Sequence, residues 1–185
     1  MKTNENIALY VLRLAGTLLA ICIVVAAALA GVNAITAPVI EELNAAATQE
    51  AISAVLPGGF DSEITDYAAA SGIDSKVYQG EAGYALEVGP GGCDITITMM
   101  VGVDNEGKVL GISIVNHTET AGLGAVADAD TPTGIACREQ FVGTSGSVSV
   151  TKDGGMMDAI TGATITSRAI CVGGNAALDC VAGLG

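Results

Sequence analysis

Positive charge is scarce in this chain. Its 185 residues hold 7 Lys and Arg against 20 Asp and Glu, a formal net charge of −13. Phosphate backbones are gripped by basic side chains, so this balance argues against a nucleic-acid partner. Histidine is scarcer still, with His117 alone, and the five cysteines (Cys22, Cys93, Cys137, Cys171 and Cys180) form no CxxC pair. A zinc or iron–sulfur site built by this chain alone is therefore not expected, and the cysteines read as small buried residues. There is no GxxxxGK[ST] loop for nucleotide triphosphates, no serine-hydrolase elbow and no HExxH helix. No repeat of structural period is visible either.

Apolar residues are abundant, at 50% of the chain. That is too many for disorder and high for a purely soluble domain. The excess lies at the start, where 27 residues between Arg13 and Glu41 carry no charge. As a helix this run extends roughly 40 Å, more than the ~30 Å hydrocarbon core requires. Leu14 to about Ala34 therefore reads as a transmembrane helix in a lipid bilayer. A cleaved signal peptide, with Ala28-Leu29-Ala30 as its cleavage site, needs a shorter apolar core. A lipoprotein signal at Leu19-Ala20-Ile21-Cys22 has a bulky Ile21 where a small residue belongs. An uncleaved anchor is the expectation. Lys2 and Arg13 flank its start, whereas the chain beyond residue 40 holds 19 acidic and 5 basic side chains. Counting Lys and Arg near the membrane places the N-terminus in the cytoplasm and the main domain outside. The division expected is residues 1–37 for N-terminus and anchor and residues 38–185 for the extracytoplasmic domain.

Beyond the anchor, Pro38 suits the first turn of a helix, and helical spacing of Val39, Leu43, Ala46, Ala47, Ile52 and Val55 predicts one to about Leu56. Pro57-Gly58-Gly59 ends it. Short strands are expected near Lys76–Gln79 and at Tyr84–Val88. Alternating apolar residues predict a hairpin of Ile95–Val103 and Val109–Val115 about the turn Asp104-Asn105-Glu106-Gly107. Residues 120–136 read as loop or loose helix, Cys137–Gly143 as a helical turn, Val148–Thr151 as a short strand, and Thr166 to Val181 as a closing helix. This order predicts an α+β fold: one N-terminal transmembrane helix, then a domain with a mostly antiparallel sheet.

Two stretches could carry chemistry. "DAITGATITSRAI", residues 158–170, crowds Asp158, Thr161, Thr164, Thr166 and Ser167 around the turn Gly162-Ala163. A helix cap at Thr166 or Ser167 explains one or two of these oxygens. An anion site is the other reading: a helix N-terminus offers free N–H groups and a favourable dipole, and Arg168 adds charge. "NHTETAGLGA", residues 116–125, follows the second hairpin strand, and Gly122-Leu123-Gly124 permits close backbone approach to something flat. By themselves, His117 reads as a strand-end histidine bonded to backbone and Glu119 as an exposed carboxylate.

Together, "HTETAGLG" and "DAITGATITS" resemble the paired motifs of the covalent FMN-binding domain family. That family includes the G subunit of Rnf electron-transport complexes and the C subunit of the sodium-pumping NADH:quinone oxidoreductase. The resemblance also takes in the anchor, the hairpin and "REQFVG". Ala121 departs from the family's usual proline, and Thr161 replaces a common serine. The resemblance implies FMN esterified through its phosphate to Thr164, a magnesium-dependent flavin transferase that reads Asp158, Thr161, Gly162 and Ala163, and a loop of Glu119, Thr120, Leu123 and Gly124 packed on the isoalloxazine ring. A threonine hydroxyl is a weak nucleophile, consistent with enzymatic attachment. The expected function is an electron-carrying subunit of an ion-translocating ferredoxin:NAD⁺ oxidoreductase, with that complex's other subunits as partners. The compact length favours this over the quinone-linked homologue. A rival from another class is a membrane-tethered, non-catalytic binding domain whose threonine-rich turn merely caps a helix.

Overall fold

A computed structural model describes residues 2–64, 75–92 and 96–184, with side chains described outside 2–8 and Ser75. The chain falls into two compact units, Met1–Ala46 and Ala47–Gly185.

The first unit is helical throughout its described length. Helix α1 is Lys2–Val55, with Pro38 inside it. Pro38 lacks the N–H that would reach back one turn, a loss tolerated here without ending the helix. The helix expected to start at Pro38 is thus part of the same element as the anchor. From Leu9 onward α1 is long and apolar enough to cross a membrane. Leu12, Leu14, Leu18, Leu19, Ile21, Val24 and Leu29 are all exposed, as side chains facing lipid would be.

The second unit is an α+β domain around one antiparallel sheet. Its strands are β1 (Ser62–Ile64), β2 (Ser75–Gly80), β3 (Gly83–Val88), β4 (Thr98–Asp104) and β5 (Val109–Asn116), hydrogen-bonded in chain order. The expected hairpin is present. Met100 pairs with Ser113 and Val101 with Ile112, and Asp104 closes the turn by accepting from the N–H groups of Glu106 and Lys108 at 2.8 Å each. Its first strand begins at Thr98. Ile95, like Cys93, lies outside the described residues.

Every residue from Met99 to Val103 is buried, which a one-faced sheet would not require. Both faces are covered. Met99, Val101 and Val103 join Ile170, Ala177, Leu178 and Val181 of helix α3 (Thr164–Leu184) in the larger core. Met100 and Ala85 join Ala51, Ile52, Val55 and Leu56 in the smaller one. Two glycines permit this closeness. A Cβ on Gly102 would meet the Val55 carbonyl oxygen and, at 2.9 Å, its carbon; one on Gly173 would meet the Met99 sulfur at 2.6 Å.

The segment between β5 and α3 agrees with expectation over residues 120–139, read as loop or loose helix and then a helical turn, and differs at residues 148–151. Residues 120–136 contain a 3-10 turn at Gly124–Ala127 and the start of helix α2, Pro132–Glu139. Thr131 caps α2 by accepting from Gly134 N–H at 3.2 Å, with Pro132 at the first helical position. Residues 148–151 form no strand. Val150 makes a single bridge to Met157, and a 3-10 turn follows at Thr151–Asp153. Asn175 of α3 supplies the missing pairing, accepting from Val148 N–H at 2.7 Å and donating to its carbonyl at 2.9 Å.

Candidate functional site

The two motifs lie about forty residues apart in sequence, and the fold brings them to one cavity of about 290 Å³. Glu119, Thr120, Leu123 and Gly124 line one side, and Gly162, Ala163, Thr164, Ile165 and Thr166 the other. β5 ends at Asn116 and delivers the first motif. His117 shapes the turn that follows: its Nδ1 accepts from Glu119 N–H at 3.2 Å. The backbone-bonded strand-end histidine is thus the observed arrangement. Thr120 then closes the loop, its carbonyl accepting from Leu123 N–H at 3.1 Å and Ala125 N–H at 3.3 Å.

The second motif is a turn leading into α3. Gly162 has φ 82°, a left-handed value that glycine adopts without strain. The helix begins at Thr164, two residues before the expected cap. Thr166 and Ser167 are therefore inside its first turn and buried. They do not cap it, because their hydroxyls are used elsewhere. Ser167 Oγ accepts from Ile160 N–H and donates to the Ala163 carbonyl, both at 3.0 Å, binding the turn to the helix. Thr166 Oγ1 donates to Glu119 Oε2 at 2.6 Å and so ties the two motifs directly together. Glu119 is a half-buried bonded carboxylate, not an exposed one. The residue preceding the helix is Ala163, which has no side-chain acceptor. No hydrogen bond among the described residues takes up the N–H groups of Thr164, Ile165 or Thr166.

The charge at the site also differs from expectation. Arg168 is occupied elsewhere: its Nε and Nη2 donate to the two Asp153 carboxylate oxygens at 2.7 Å each. That bidentate bond holds the Asp153 carboxyl below its usual range. The cation lining the cavity is Lys152, whose Nζ donates to Thr164 Oγ1 at 3.0 Å. Lys152 belongs to neither motif. Its only trace in the sequence is a lone basic residue between Arg138 and Arg168, and nothing local links it to Thr164.

Two expected site residues stand apart. Thr161 is exposed and does not line the cavity. Asp158 is also exposed and lines a different groove, of about 540 Å³, with Cys137, Gln140 and Ile160. Gln140 grips its backbone, donating to the Asp158 carbonyl at 3.1 Å and accepting from its N–H at 2.7 Å. Cys137 and Cys171 are buried thiols, Cys22 is an exposed one, and Cys180 is buried in the larger core. Burial pushes the Cys171 thiol up to about 11.

A flavin mononucleotide fits this donor set. Uncommitted N–H groups at the start of α3 and one ammonium suit a phosphate. Leu123 and Ile165, 44% and 53% exposed, offer apolar surface for a ring. At Gly124 a Cβ would collide with Glu119 Oε2 and approach Thr166 Oγ1 to 2.6 Å, so glycine is what lets the loop close onto the helix. These features suit a small anion and a flat apolar ring, on an α+β scaffold.

Comparison with known proteins agrees. Residues 92–179 match the FMN-binding domain family. The chain is 33% identical, over 97% of both chains, to the G subunit of the Na⁺-translocating ferredoxin:NAD⁺ oxidoreductase complex of Acetobacterium woodii. It is 32% identical to the G subunit of the ion-translocating oxidoreductase complex of Methanosarcina acetivorans, over 89% of this chain and 91% of that one. The corresponding G subunit of Vibrio vulnificus is 41% identical over 45% of this chain and 41% of its own length. The chain belongs to the family of G subunits of ion-translocating oxidoreductase complexes, the family expected from the paired motifs.

Proposed function

We propose that this chain is the electron-transfer subunit of a membrane-bound ferredoxin:NAD⁺ oxidoreductase complex and carries FMN joined through its phosphate to Thr164 Oγ1. The observation that carries this reading is the convergence of both motifs on one cavity, with the Thr164 hydroxyl at its edge. Relatives of near-equal length that are G subunits of such complexes favour it over the quinone-linked reading. They also favour it over a plain binding domain.

Bound FMN supplies reversible electron transfer; the protein supplies position and electrostatics. The N–H groups at the start of α3 face developing or resident negative charge favourably. The Thr166–Glu119 bond holds the loop against the helix, and Leu123 covers one side of the ring site. Asp158, Thr161, Gly162 and Ala163 form the stretch that a flavin transferase reads. Their exposure or small size suits reading by another protein, and Gln140 presents Asp158 in a set backbone conformation. The chain's N-terminus lies in the cytoplasm, and the domain, anchored by α1, lies outside the membrane beside the complex's other subunits. A covalent tether suits that location, since a dissociable flavin would be lost by dilution.

The test is direct. The full chain is produced with a flavin transferase, denatured, and examined for flavin fluorescence on the separated band. Wild type is expected to fluoresce and Thr164→Val to be dark. A dark wild type, or a fluorescent Thr164→Val, sinks the attachment site.

A further inference from the structure

We propose that Lys152 is the positioning residue for the flavin phosphate: it orients the Thr164 hydroxyl before attachment and pairs with the phosphodiester afterwards. This rests on the Thr164 attachment reading above. The chemistry of attachment gives such a group a task. A phosphate monoester such as free FMN has no good leaving group, so the donor must be a flavin nucleotide of the phosphoanhydride class. Thr164 Oγ1 forms the new bond to phosphorus. The anhydride P–O bond breaks, and the departing nucleotide phosphate takes its electron pair. The hydroxyl proton passes to a base on the attaching enzyme. The product diester keeps one negative charge beside Thr164, in a chain whose net charge is −13.

A cation at this point has two tasks, and Lys152 is placed for both. Its ammonium already donates to Thr164 Oγ1 at 3.0 Å. That bond directs the oxygen's remaining lone pair and hydrogen away from the lysine, leaving them for the incoming phosphorus and the base. After attachment Oγ1 is a bridging oxygen and a weaker acceptor. The charge lies on the non-bridging oxygens of the same phosphorus, two bonds further on, within reach of a flexible ammonium. Asp153, the adjacent residue, would be a competing partner. Its two oxygens are instead taken by Arg168 at 2.7 Å each. The same pair fixes the Thr151–Asp153 turn to α3, so the backbone carrying Lys152 is held beside Thr164. Arg168 and Asp153 thus neutralise each other and leave the neighbouring ammonium to the site.

The experiment follows loading in time in the full chain, after induction of a co-produced flavin transferase. It compares wild type, Lys152→Met, Lys152→Gln and Lys152→Arg by in-gel flavin fluorescence. The visible circular dichroism of each loaded, folded protein is the second readout. Loss of a charge-assisted hydrogen bond is expected to slow loading on the order of tenfold in the Met and Gln variants. Lys152→Arg recovers most of the rate, because arginine keeps the charge. Lys152 is an exposed turn residue, so thermal midpoints of the unloaded variants stay at the wild-type value. A role confined to structure would move those midpoints and leave no difference between Met and Arg. Wild-type loading rate and unchanged flavin dichroism in Lys152→Met overturn the proposal, as does an Arg variant no faster than Met. Absence of flavin on the wild-type chain is a different result: it removes the attachment site, and the role of Lys152 with it.

Discussion

The bond between Thr166 and Glu119 is the one direct side-chain link between the two motifs among the described residues, and its removal can be given a magnitude. Thr166 is 2% exposed, and its Oγ1 donates to a carboxylate oxygen at 2.6 Å. Hydrogen bonds to charged groups contribute about 1.5–3 kcal/mol net. Valine keeps the branched shape but removes the donor, leaving a half-buried carboxylate with one partner fewer. Thr166→Val should therefore cost about 2 kcal/mol, which for a domain of this size lowers the thermal midpoint by roughly 6 °C. Glu119→Ala removes the other side of the same bond, so the double variant should be less destabilised than the two single losses together. The assay is thermal unfolding of the full chain in detergent, followed by far-ultraviolet circular dichroism, across all four members of the cycle. A coupling energy under about 0.5 kcal/mol, the level of unrelated sites, refutes the link.

Three further outcomes are expected. Gly102→Ala places a methyl against the Val55 carbonyl group, where only backbone could yield; a loss of at least about 2 kcal/mol is expected in the same unfolding assay. Gln140→Ala removes both bonds to the Asp158 backbone and should cost about 1–2 kcal/mol. Its flavin loading, measured on the denatured band, should also fall, because the transferase meets a looser segment. Cys137 and Cys171 are held as thiols by burial, Cys171 with its pKa up to about 11. Alkylation near pH 8 should be slow for both in the folded chain and fast after denaturation, as mass spectrometry would record. The unfolded thiol ionises first as pH rises, so the folded state binds more protons and stability declines from about pH 8.5 upward. Stability that rises over that interval contradicts the burial reading.

Much of the fold is legible in local pattern. The charge-free run, the alternation across the hairpin and the Asp104–Gly107 turn are near-neighbour signals, and the structure places those elements within a few residues of expectation. Boundaries slipped where tertiary bonds override local preference. Thr166 and Ser167 are good capping residue types, yet their hydroxyls serve Glu119 and the 160–163 turn, and α3 starts at Thr164. Residues 148–151 have strand character, but the side chain of Asn175, not a strand, pairs with Val148.

The sequence by itself determined the classes of element and the two motifs on which family membership rests, because these depend on composition and short-range order. The tertiary structure alone decided which groups meet. It set Glu119 against Thr166, gave Arg168 to Asp153 where the sequence suggested an anion, and brought Lys152 to Thr164. Those pairings span 12 to 47 residues. No local propensity encodes them; they follow from packing α3 on the sheet, which sets where each loop can reach.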